Sequence, residues 1–283
     1  MVLDRRLHAF RPDLADAALA GKVEAACFVE GASARVAAPV VGLRPQPDLV
    51  RGIDTELLLG EDVAVFERKD GWCWVKALSD GYVGYVPEST LSFDGPAPTH
   101  VVLPQRTPIY PEPELRKPAV GALSMGSRVH VVGTAEARGN HYVTLADGTA
   151  IFAAHVKPIG FNDGGDYVEV ALRFLETPYL WGGRSGFGID CSGLVQLSML
   201  MTGRRAPRDT DMQSSGLGDP IERQVLRRGD LVFWKGHVAI MEDAETMIHA
   251  NGHTMTVARE NFEAAVERIG WLYQRPTGYR RPA

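Results

Sequence analysis

The sequence has few cysteines and no large excess of charge of either sign. Its three cysteines, Cys27, Cys73 and Cys191, are an odd number and lie far apart, which is a poor basis for a disulfide framework. Reduced thiols in a reducing compartment are the simpler interpretation. Lys and Arg total 30 and Asp and Glu total 35, giving a formal net charge of -5. No strongly basic face is indicated, and we do not expect nucleic acid as a partner.

Long apolar runs are also missing. Two early arginines stand in the N-terminal segment, but no run of roughly 7–15 apolar residues, as a secretory signal needs, follows them. No stretch approaches the roughly 20 apolar residues that would span a membrane. We therefore expect a cytoplasmic protein that does not act in a membrane.

The composition that remains is that of an ordinary globular protein. The 283 residues are 45% hydrophobic and 23% charged, and this length favours about two domains. Residues 1–36 are predicted to form a mostly helical lead-in. They contain the Ala- and Leu-rich run PDLADAALAGKVEAA, in which Pro12 is suited to open a helix.

Two successive stretches have the short strands and closely spaced turns that are typical of small β-barrels. Residues 37–95 contain short apolar runs separated by Lys-Asp-Gly and Ser-Asp-Gly, and residues 96–159 contain similar runs with a Gly-Asn and an Asp-Gly turn. The run LLLGEDVAVFERKDGWCWVKALSDGYVGYVP parallels GALSMGSRVHVVGTAEARGNHYVTLADGTAIFA. We interpret the two stretches as a divergent tandem repeat of one barrel type.

Residues 160–283 follow a different pattern. An Asn-Asp-Gly-Gly linker precedes two predicted helices, VEVALRFLET and a run that begins near Cys191 and stops at Gly203. Strand-like runs follow: DLVFWK, HVAIMED, TMIHAN, TMTVA and WLYQRP. Helices followed by strands predict an α+β domain.

Three side chains of this last domain are suited to nucleophilic catalysis. Cys191 is placed at a predicted helix start, where the helix dipole favours a thiolate. His237 lies 46 residues later (237 − 191), and His249 lies 12 residues beyond it (249 − 237) on the next strand-like run. Two adjacent antiparallel strands would bring the imidazoles side by side. His237 would then deprotonate Cys191, and His249 would hold the ring of His237 in one tautomer.

These residue types also have less specific interpretations. A lone cysteine at a helix start is most often a small buried side chain. Cysteine and histidine are the usual zinc ligands, but the sequence has no Cys-x-x-Cys or His-x-x-x-His pair. Spacing alone therefore leaves a nucleophile, a packed thiol and a metal ligand all open.

The surrounding motifs resemble those of the NlpC-type peptidoglycan peptidases. The segments that carry the resemblance are YLWGGRSGFGIDCSGLVQ, RGDLVFWKGHVAIMED and MIHANG. That family typically has a Tyr-x-x-Gly-Gly lead, an Asp-Cys-Ser-Gly-Leu-Val core, a Gly-Asp-Leu-x-Phe strand, a His-Val-Gly-Ile strand and a later Ile-His-Ala. Here Ala239 replaces the common glycine.

The resemblance implies a papain-like α+β catalytic core and no cofactor or metal. It implies that Cys191 attacks, that His237 is the base and that His249 is the polar orienting residue. The backbone N–H of Cys191 would contribute to the oxyanion hole. Tyr179, 12 residues before the nucleophile (191 − 179), would line the pocket near the oxyanion.

Two SH3-like barrels ahead of such a domain are similar to a cytoplasmic branch of the family that recycles murein peptides. Members of that branch, γ-D-glutamyl-L-diamino acid endopeptidases of the dipeptidyl-peptidase VI type, cut murein tri- and tetrapeptides that have a free N-terminal L-alanine. Acidic and hydroxyl groups recognise the amine. The matching positions here are Asp190, Ser192, Asp209 and Thr210, with threonine where serine is common.

The resemblance further implies that the first barrel lends a tyrosine and an acid to the substrate amine. Tyr82 is the candidate tyrosine, and Glu56 or Glu61 is the candidate acid. A surface aromatic of the barrel is the alternative for Tyr82.

The sequence thus predicts a cysteine peptidase that cleaves the γ-D-glutamyl-diamino acid bond of small murein peptides. Meso-diaminopimelate and lysine both remain open as the diamino acid. The alternatives are an endopeptidase on intact peptidoglycan, a non-catalytic SH3-like protein that binds the wall, and an amidase or acyltransferase on a similar core.

Overall fold

The computed structural model describes residues 3–161 and 165–282 of the chain. Two compact units, Met1–Ile159 and Gly160–Ala283, divide the chain at the position where the sequence predicts the start of the last domain. The predicted Asn-Asp-Gly-Gly linker falls on residues 162–165, of which 162–164 lie outside the described residues.

The lead-in is not helical, and this prediction was wrong. Within its described residues, 3–36, the one helix is the 3-10 turn Ala17–Leu19, which the side chain of Asp16 caps. On either side, strands β1 (Leu14–Asp16) and β2 (Cys27–Val29) pair in parallel. Gly21 follows the turn at φ +76°, a left-handed conformation that ends a helix. A single turn gains too few hydrogen bonds to offset the cost of helix nucleation.

The first barrel begins before residue 37, so the predicted boundary was also misplaced. Its strands are β3 (Ala32–Val36), β4 (Val40–Leu43), β5 (Thr55–Leu58), β6 (Asp62–Lys69), β7 (Trp72–Ala77), β8 (Val83–Pro87) and β9 (Leu91–Ser92). A five-stranded sheet has the order β8-β7-β6-β3-β9, and β4 pairs with β5. The turn Asp70-Gly71 has positive φ at both residues, as the tight hairpin between β6 and β7 requires.

The second barrel repeats this arrangement. Its strands are β10 (His100–Val102), β11 (Arg106–Ile109), β12 (Gly121–Ser124), β13 (Arg128–Val129), β14 (Val131–Ala137), β15 (Asn140–Leu145), β16 (Ala150–Phe152) and β17 (Val156–Pro158). Strand β10 pairs with β13 and β17 as β3 pairs with β6 and β9, and the order β14-β15-β16 mirrors β6-β7-β8. The repeated pairing supports a tandem repeat.

The two barrels pack together as one unit. The backbone N–H of Arg128 donates to the carbonyl of Leu59 at 2.7 Å, and Leu59 packs on the apolar cluster of the second barrel. Gly60 has φ +78°, and a β-carbon there would lie 2.3 Å from the carbonyl oxygen of Arg128. Only glycine permits this close approach.

The C-terminal unit contains four helices and a central sheet within its described residues. The helices are α1 (Tyr167–Leu172), α2 (Cys191–Met201), α3 (Thr210–Gly216) and α4 (Phe262–Leu272). The strands are β18 (Arg184–Ser185), β19 (Gly188–Ile189), β20 (Asp219–Pro220), β21 (Leu231–Trp234), β22 (His237–Met241), β23 (Thr246–Asn251), β24 (Thr256–Asn261) and β25 (Gly278–Arg281). Six strands form one sheet in the order β20-β25-β21-β22-β23-β24.

Helix α4 was missed from the sequence, and the predicted strand WLYQRP was wrong. Asn261 caps α4 by accepting from the N–H of Ala264. Phe262, Ala265, Val266 and Ile269 form its buried face at helical spacing. No helix in the described residues is long and apolar enough to cross a membrane.

Candidate active site

The start of helix α2 is fixed by the carboxylate of Asp190. Its Oδ1 accepts the N–H of Gly193 at 2.7 Å, and its Oδ2 accepts the N–H of Gly182 at 2.9 Å. The first helical N–H groups have no partner inside the helix, so this carboxylate caps them. A β-carbon on Gly193 would lie 2.4 Å from the carbonyl oxygen of Gly183. The Gly-Gly and Cys-Ser-Gly motifs therefore pack backbone against backbone.

A buried arginine completes the bonding of Asp190. Arg208 is 1% exposed and donates from Nη1 to Oδ1 at 3.0 Å and from Nη2 to Oδ2 at 2.7 Å. The hydroxyl of Ser192 donates to Asp190 Oδ1 at 3.2 Å and accepts from Arg208 Nη1 at 2.9 Å. Burial opposes the charge of Arg208, but Asp190 more than offsets this and raises the pKa of the guanidinium. The paired charges hold the loop before α3 against α2.

Gln213 ties the same elements together and was not singled out from the sequence. Its Nε2 donates to the carbonyl oxygen of Ser192 at 3.0 Å and to that of Pro207 at 2.8 Å. Gln213 is fully buried on α3. A glutamine on a short helix has no sequence signature for this role.

The thiol of Cys191 lies at the first position of α2 and is buried. Its Sγ is 3.8 Å from Oγ1 of Thr210, and the backbone N–H of Val238 donates to it. Burial and the nearby charge of Asp190 raise the pKa of the thiol to about 11. Burial therefore opposes the stabilisation of a thiolate that the helix start was expected to provide.

The two histidines lie side by side on neighbouring strands. His237 opens β22 and His249 lies within β23, and these strands pair in antiparallel fashion. His237 Nε2 is 2.9 Å from His249 Nδ1. Burial, followed by the proximity of His249, lowers the pKa of His237 to about 3. His237 is a neutral imidazole, and Val238, the residue after it, contacts the thiol through its backbone.

Behind the histidines lies an ion pair that sequence reasoning missed. Glu260, on β24, places Oε2 3.2 Å from Nε2 of His249, a close electrostatic contact without ideal hydrogen-bond alignment. Arg268, on α4, donates to both oxygens of Glu260, at 2.9 and 2.5 Å. The predicted strand TMTVA stopped short of Glu260, and Arg268 belongs to the helix that was not predicted.

Tyr179 lies near Cys191 and Asp190. Burial raises the pKa of its phenol to about 12, and the charges of Cys191 and Asp190 contribute to the same shift. Thr210 and Asp209 stand at the start of α3, where the Asp209 side chain does not cap the helix. The structure thus brings Tyr179, Asp190, Ser192, Asp209 and Thr210 to the region around the thiol, although their binding roles stay predictions.

The candidates of the first barrel belong to the N-terminal unit. Tyr82 is 3% exposed and lies in the apolar core of the barrel, so it is not a surface aromatic. Glu56 is buried on β5, and Glu61 accepts the N–H of Leu58 at 3.0 Å. A role of Tyr82 or Glu56 toward a substrate amine stays a prediction.

No cluster of three or more His, Cys, Asp or Glu side chains in the described residues is arranged to hold a metal ion. The groups around Cys191 can nevertheless perform acyl transfer by themselves. A thiol, a neutral imidazole and a polar group that orients the imidazole are the components of nucleophilic hydrolysis. The C-terminal unit therefore has the site of a cysteine hydrolase.

Comparison with known proteins identifies the family. Residues 176–269 match the NlpC/P60 family, and residues 43–91 match the bacterial dipeptidyl-peptidase SH3 domain. The chain is a cysteine peptidase of the NlpC/P60 family that carries an N-terminal SH3-type domain.

Similar curated proteins align with most of this chain. The chain is 28% identical over 240 residues to dipeptidyl-peptidase 6 of Lysinibacillus sphaericus, covering 77% of this chain and 88% of the relative. It is 29% identical over 232 residues to the γ-D-glutamyl-L-lysine dipeptidyl-peptidase of Bacillus cereus, covering 70% and 67%. A crystal structure of an NlpC/P60 family protein from Bacillus cereus has the same fold, with a TM-score of 0.72, 23% identity and coverage of 88% and 99%.

Proposed function

We propose that the enzyme cleaves the γ-D-glutamyl-diamino acid bond of murein peptides with a free N-terminal L-alanine, and releases L-alanyl-γ-D-glutamate. The observation that carries the proposal is the placement of Cys191 at the start of α2, beside Thr210 and the strand that begins with the paired imidazole of His237. Relatives named as γ-D-glutamyl-L-lysine dipeptidyl-peptidases support the choice of bond.

In the first half of the reaction, the Cys191 thiol gives its proton to His237 as sulfur bonds to the γ-carbonyl carbon of D-glutamate. The negative charge that develops on the carbonyl oxygen is stabilised by N–H groups at the helix start. The C–N bond then breaks, and His237 returns the proton to the amine of the departing diamino acid. The dipeptide remains on Cys191 as a thioester.

In the second half, His237 takes a proton from water as the hydroxyl oxygen bonds to the thioester carbon. The C–S bond breaks, the proton returns to sulfur and the free dipeptide leaves.

Recognition of the free amine falls, in this proposal, on Asp209 and Thr210. Asp190 already receives five donors: the N–H groups of Gly182 and Gly193, the Ser192 hydroxyl and two Arg208 nitrogens. A carboxylate has about four lone-pair positions, so Asp190 has little capacity for another donor. We assign Asp190 and Ser192 to holding the site and Asp209 to pairing with the ammonium, which costs several kcal/mol if buried unpaired.

The decisive assay compares L-Ala-γ-D-Glu-meso-diaminopimelate with its N-acetylated form, and repeats the comparison with lysine as the diamino acid. We expect the free peptides to be cleaved with a kcat/KM at least about 100-fold higher than the acetylated ones, because acetylation removes the charge that the site recognises. Equal cleavage of both forms would refute the requirement for a free amine.

The proposal also assigns the enzyme to the cytoplasm and to recycling of released peptides. Fractionation of cells that express the chain tests the location, and digestion of purified sacculi tests the substrate. Release of peptides from intact sacculi at rates similar to those on free peptide would favour an endopeptidase of the wall instead.

A further inference from the structure

We propose that Glu260, held by Arg268, is a positioning residue that sets the tautomers of both histidines and so leaves one nitrogen of His237 to act as the base. The inference rests on the proposed roles of Cys191 and His237. It extends the site by two residues that do not touch the reacting atoms.

The geometry forms a continuous series of polar contacts. His237 Nε2 lies 2.9 Å from His249 Nδ1, and His249 Nε2 lies 3.2 Å from Glu260 Oε2. Arg268 holds Glu260 in a bidentate contact, with Nε on Oε1 and Nη2 on Oε2. The side chain of His249 is 0% exposed, so solvent does not provide an alternative partner for its ring.

The protonation pattern follows from the end of this series. An ionised carboxylate attracts an N–H rather than a lone pair, so Glu260, 3.2 Å from Nε2 of His249, favours the tautomer with the hydrogen on Nε2. In that tautomer, Nδ1 of His249 is an acceptor. Nε2 of His237 must then be the donor, and Nδ1 of His237 is left as the proton acceptor.

Arg268 keeps this pattern from reversing. Partial burial opposes ionisation of Glu260, but contacts with His249 and Arg268 lower the pKa of its carboxyl to about 2. Glu260 is therefore an ionised acceptor near neutral pH. A neutral carboxylic acid could donate to His249 and would favour the opposite tautomers.

The charges of the pair act on His237 in opposite directions. The positive charge of Arg268 lowers the pKa of His237, and the negative charge of Glu260 raises it. His249 on β23 also acts on His237 and lowers its pKa. Cys191, on α2, lies beside the buried pair of Asp190 with Arg208. Trp234, from β21, packs against His237 with its ring tilted by 43° and carries no charge.

Opposite charges predict different pH profiles for two neutralising variants. The acid limb is the fall of kcat/KM at low pH as His237 becomes protonated. Arg268→Gln leaves the negative charge of Glu260 uncompensated, which raises the pKa of His237, so the acid limb should move to higher pH. Arg268→Lys keeps the positive charge and should leave the acid limb near its wild-type pH. Glu260→Gln should not move the acid limb to higher pH. It should lower the pH-independent value of kcat/KM about tenfold or more, because His237 is no longer held in one tautomer.

NMR of protein labelled with ¹⁵N-histidine supplies a readout that does not depend on activity. In the wild type we expect His237 and His249 each to carry a hydrogen on Nε2 and none on Nδ1. In Glu260→Gln both rings should show mixed tautomers, because an amide can either donate or accept.

The matched control is Glu242→Gln. Glu242 makes a bidentate pair with Arg259, the residue before Glu260 on β24, and the pair does not contact the histidines. This variant should leave the tautomers, the pH-independent value of kcat/KM and the acid limb unchanged.

The inference would be overturned if both histidines kept their wild-type tautomers in Glu260→Gln. It would also be overturned if Arg268→Gln and Glu260→Gln both lost activity while the acid limb of kcat/KM stayed at its wild-type pH. The proposed function would be refuted instead if the wild-type protein neither cleaved the murein peptides nor had a Cys191 that reacts with an alkylating reagent. The NMR measurement would still test the histidine tautomers in that case.

Discussion

Cys73 and Cys191 are both buried thiols, and burial raises the pKa of each to about 11. Cys73 lies on β7 in the apolar core of the first barrel, opposite Val86 on the neighbouring strand. Cys191 lies at the start of a helix, in contact with the hydroxyl of Thr210 and the backbone N–H of Val238.

The difference between the two sites lies in the neighbours of the sulfur rather than in the acidity of the thiol. A buried thiol among apolar side chains has no group to take its proton. At Cys191 the adjacent strand carries His237, a neutral imidazole that can take a proton when substrate arrives. In the proposed mechanism, the reactivity of Cys191 therefore depends on His237 and on the residues that position it.

Removal of each sulfur should produce the largest contrast. Cys191→Ala should lower kcat/KM on the murein tripeptide by at least about 10³-fold, because the nucleophile is lost. Cys73→Ala should retain kcat/KM and lose only about 1 kcal/mol of stability, because a small cavity opens in the barrel. Peptide kinetics and urea unfolding of both variants check this, and retained hydrolysis in Cys191→Ala would contradict it.

The buried ion pair beside Cys191 should matter far more than an exposed pair of the barrel. Arg208→Met leaves Asp190 buried without its cation and should cost about 3–5 kcal/mol in the free energy of unfolding of the C-terminal unit. Arg35→Met removes the half-exposed partner of Asp62 and should cost about 0–1 kcal/mol. Urea unfolding measures both, and similar small losses would show that Arg208 does not anchor the helix start.

The hydroxyl next to Cys191 should have a moderate effect. Thr210→Val preserves the shape of the side chain but removes Oγ1, which lies 3.8 Å from the thiol sulfur. We expect KM for the free peptide to rise about tenfold if the hydroxyl binds the amine, because one hydrogen bond to a charged group is lost. Thr210→Ser should stay near the wild type, and equal KM values for Val and Ser would remove Thr210 from amine binding.

The smallest effect should be that of pH on the wild type. In the proposed mechanism, the thiol of Cys191 gives its proton to a neutral His237. Activity is lost as pH falls through the pKa of His237, which burial lowers to about 3, or rises through that of Cys191, which burial raises to about 11. We expect kcat/KM to be nearly constant between these limits wherever the protein is folded. An acid limb with a midpoint near 6.5, the ordinary value for histidine, would contradict this assignment.

Local sequence signals predicted much of the architecture. Asp-Gly dipeptides marked tight turns such as Asp70-Gly71. The similar spacing of turns in residues 37–95 and 96–159 indicated the repeated barrel. His237 and His249 could be paired because strand alternation and a short connection constrain which side chains meet.

The parts that failed depend on tertiary context. The lead-in has helical composition but ends its single turn at Gly21, and its flanking segments pair as strands instead. The bonds of Arg208 to Asp190 and of Arg268 to Glu260 join separate elements at no characteristic spacing. The pKa of Cys191 was expected to fall because a helix start is visible in the sequence, whereas desolvation is not.

The most direct test is the alkylation rate of each cysteine at neutral pH, resolved by peptide mass spectrometry in the wild type and in His237→Ala. We predict that iodoacetamide modifies Cys191 much faster than Cys73, that His237→Ala slows Cys191 about tenfold or more, and that the exposed Cys27 reacts equally in both proteins. If Cys191 reacts no faster than Cys73, or at the same rate without His237, the neighbours of Cys191 do not activate it.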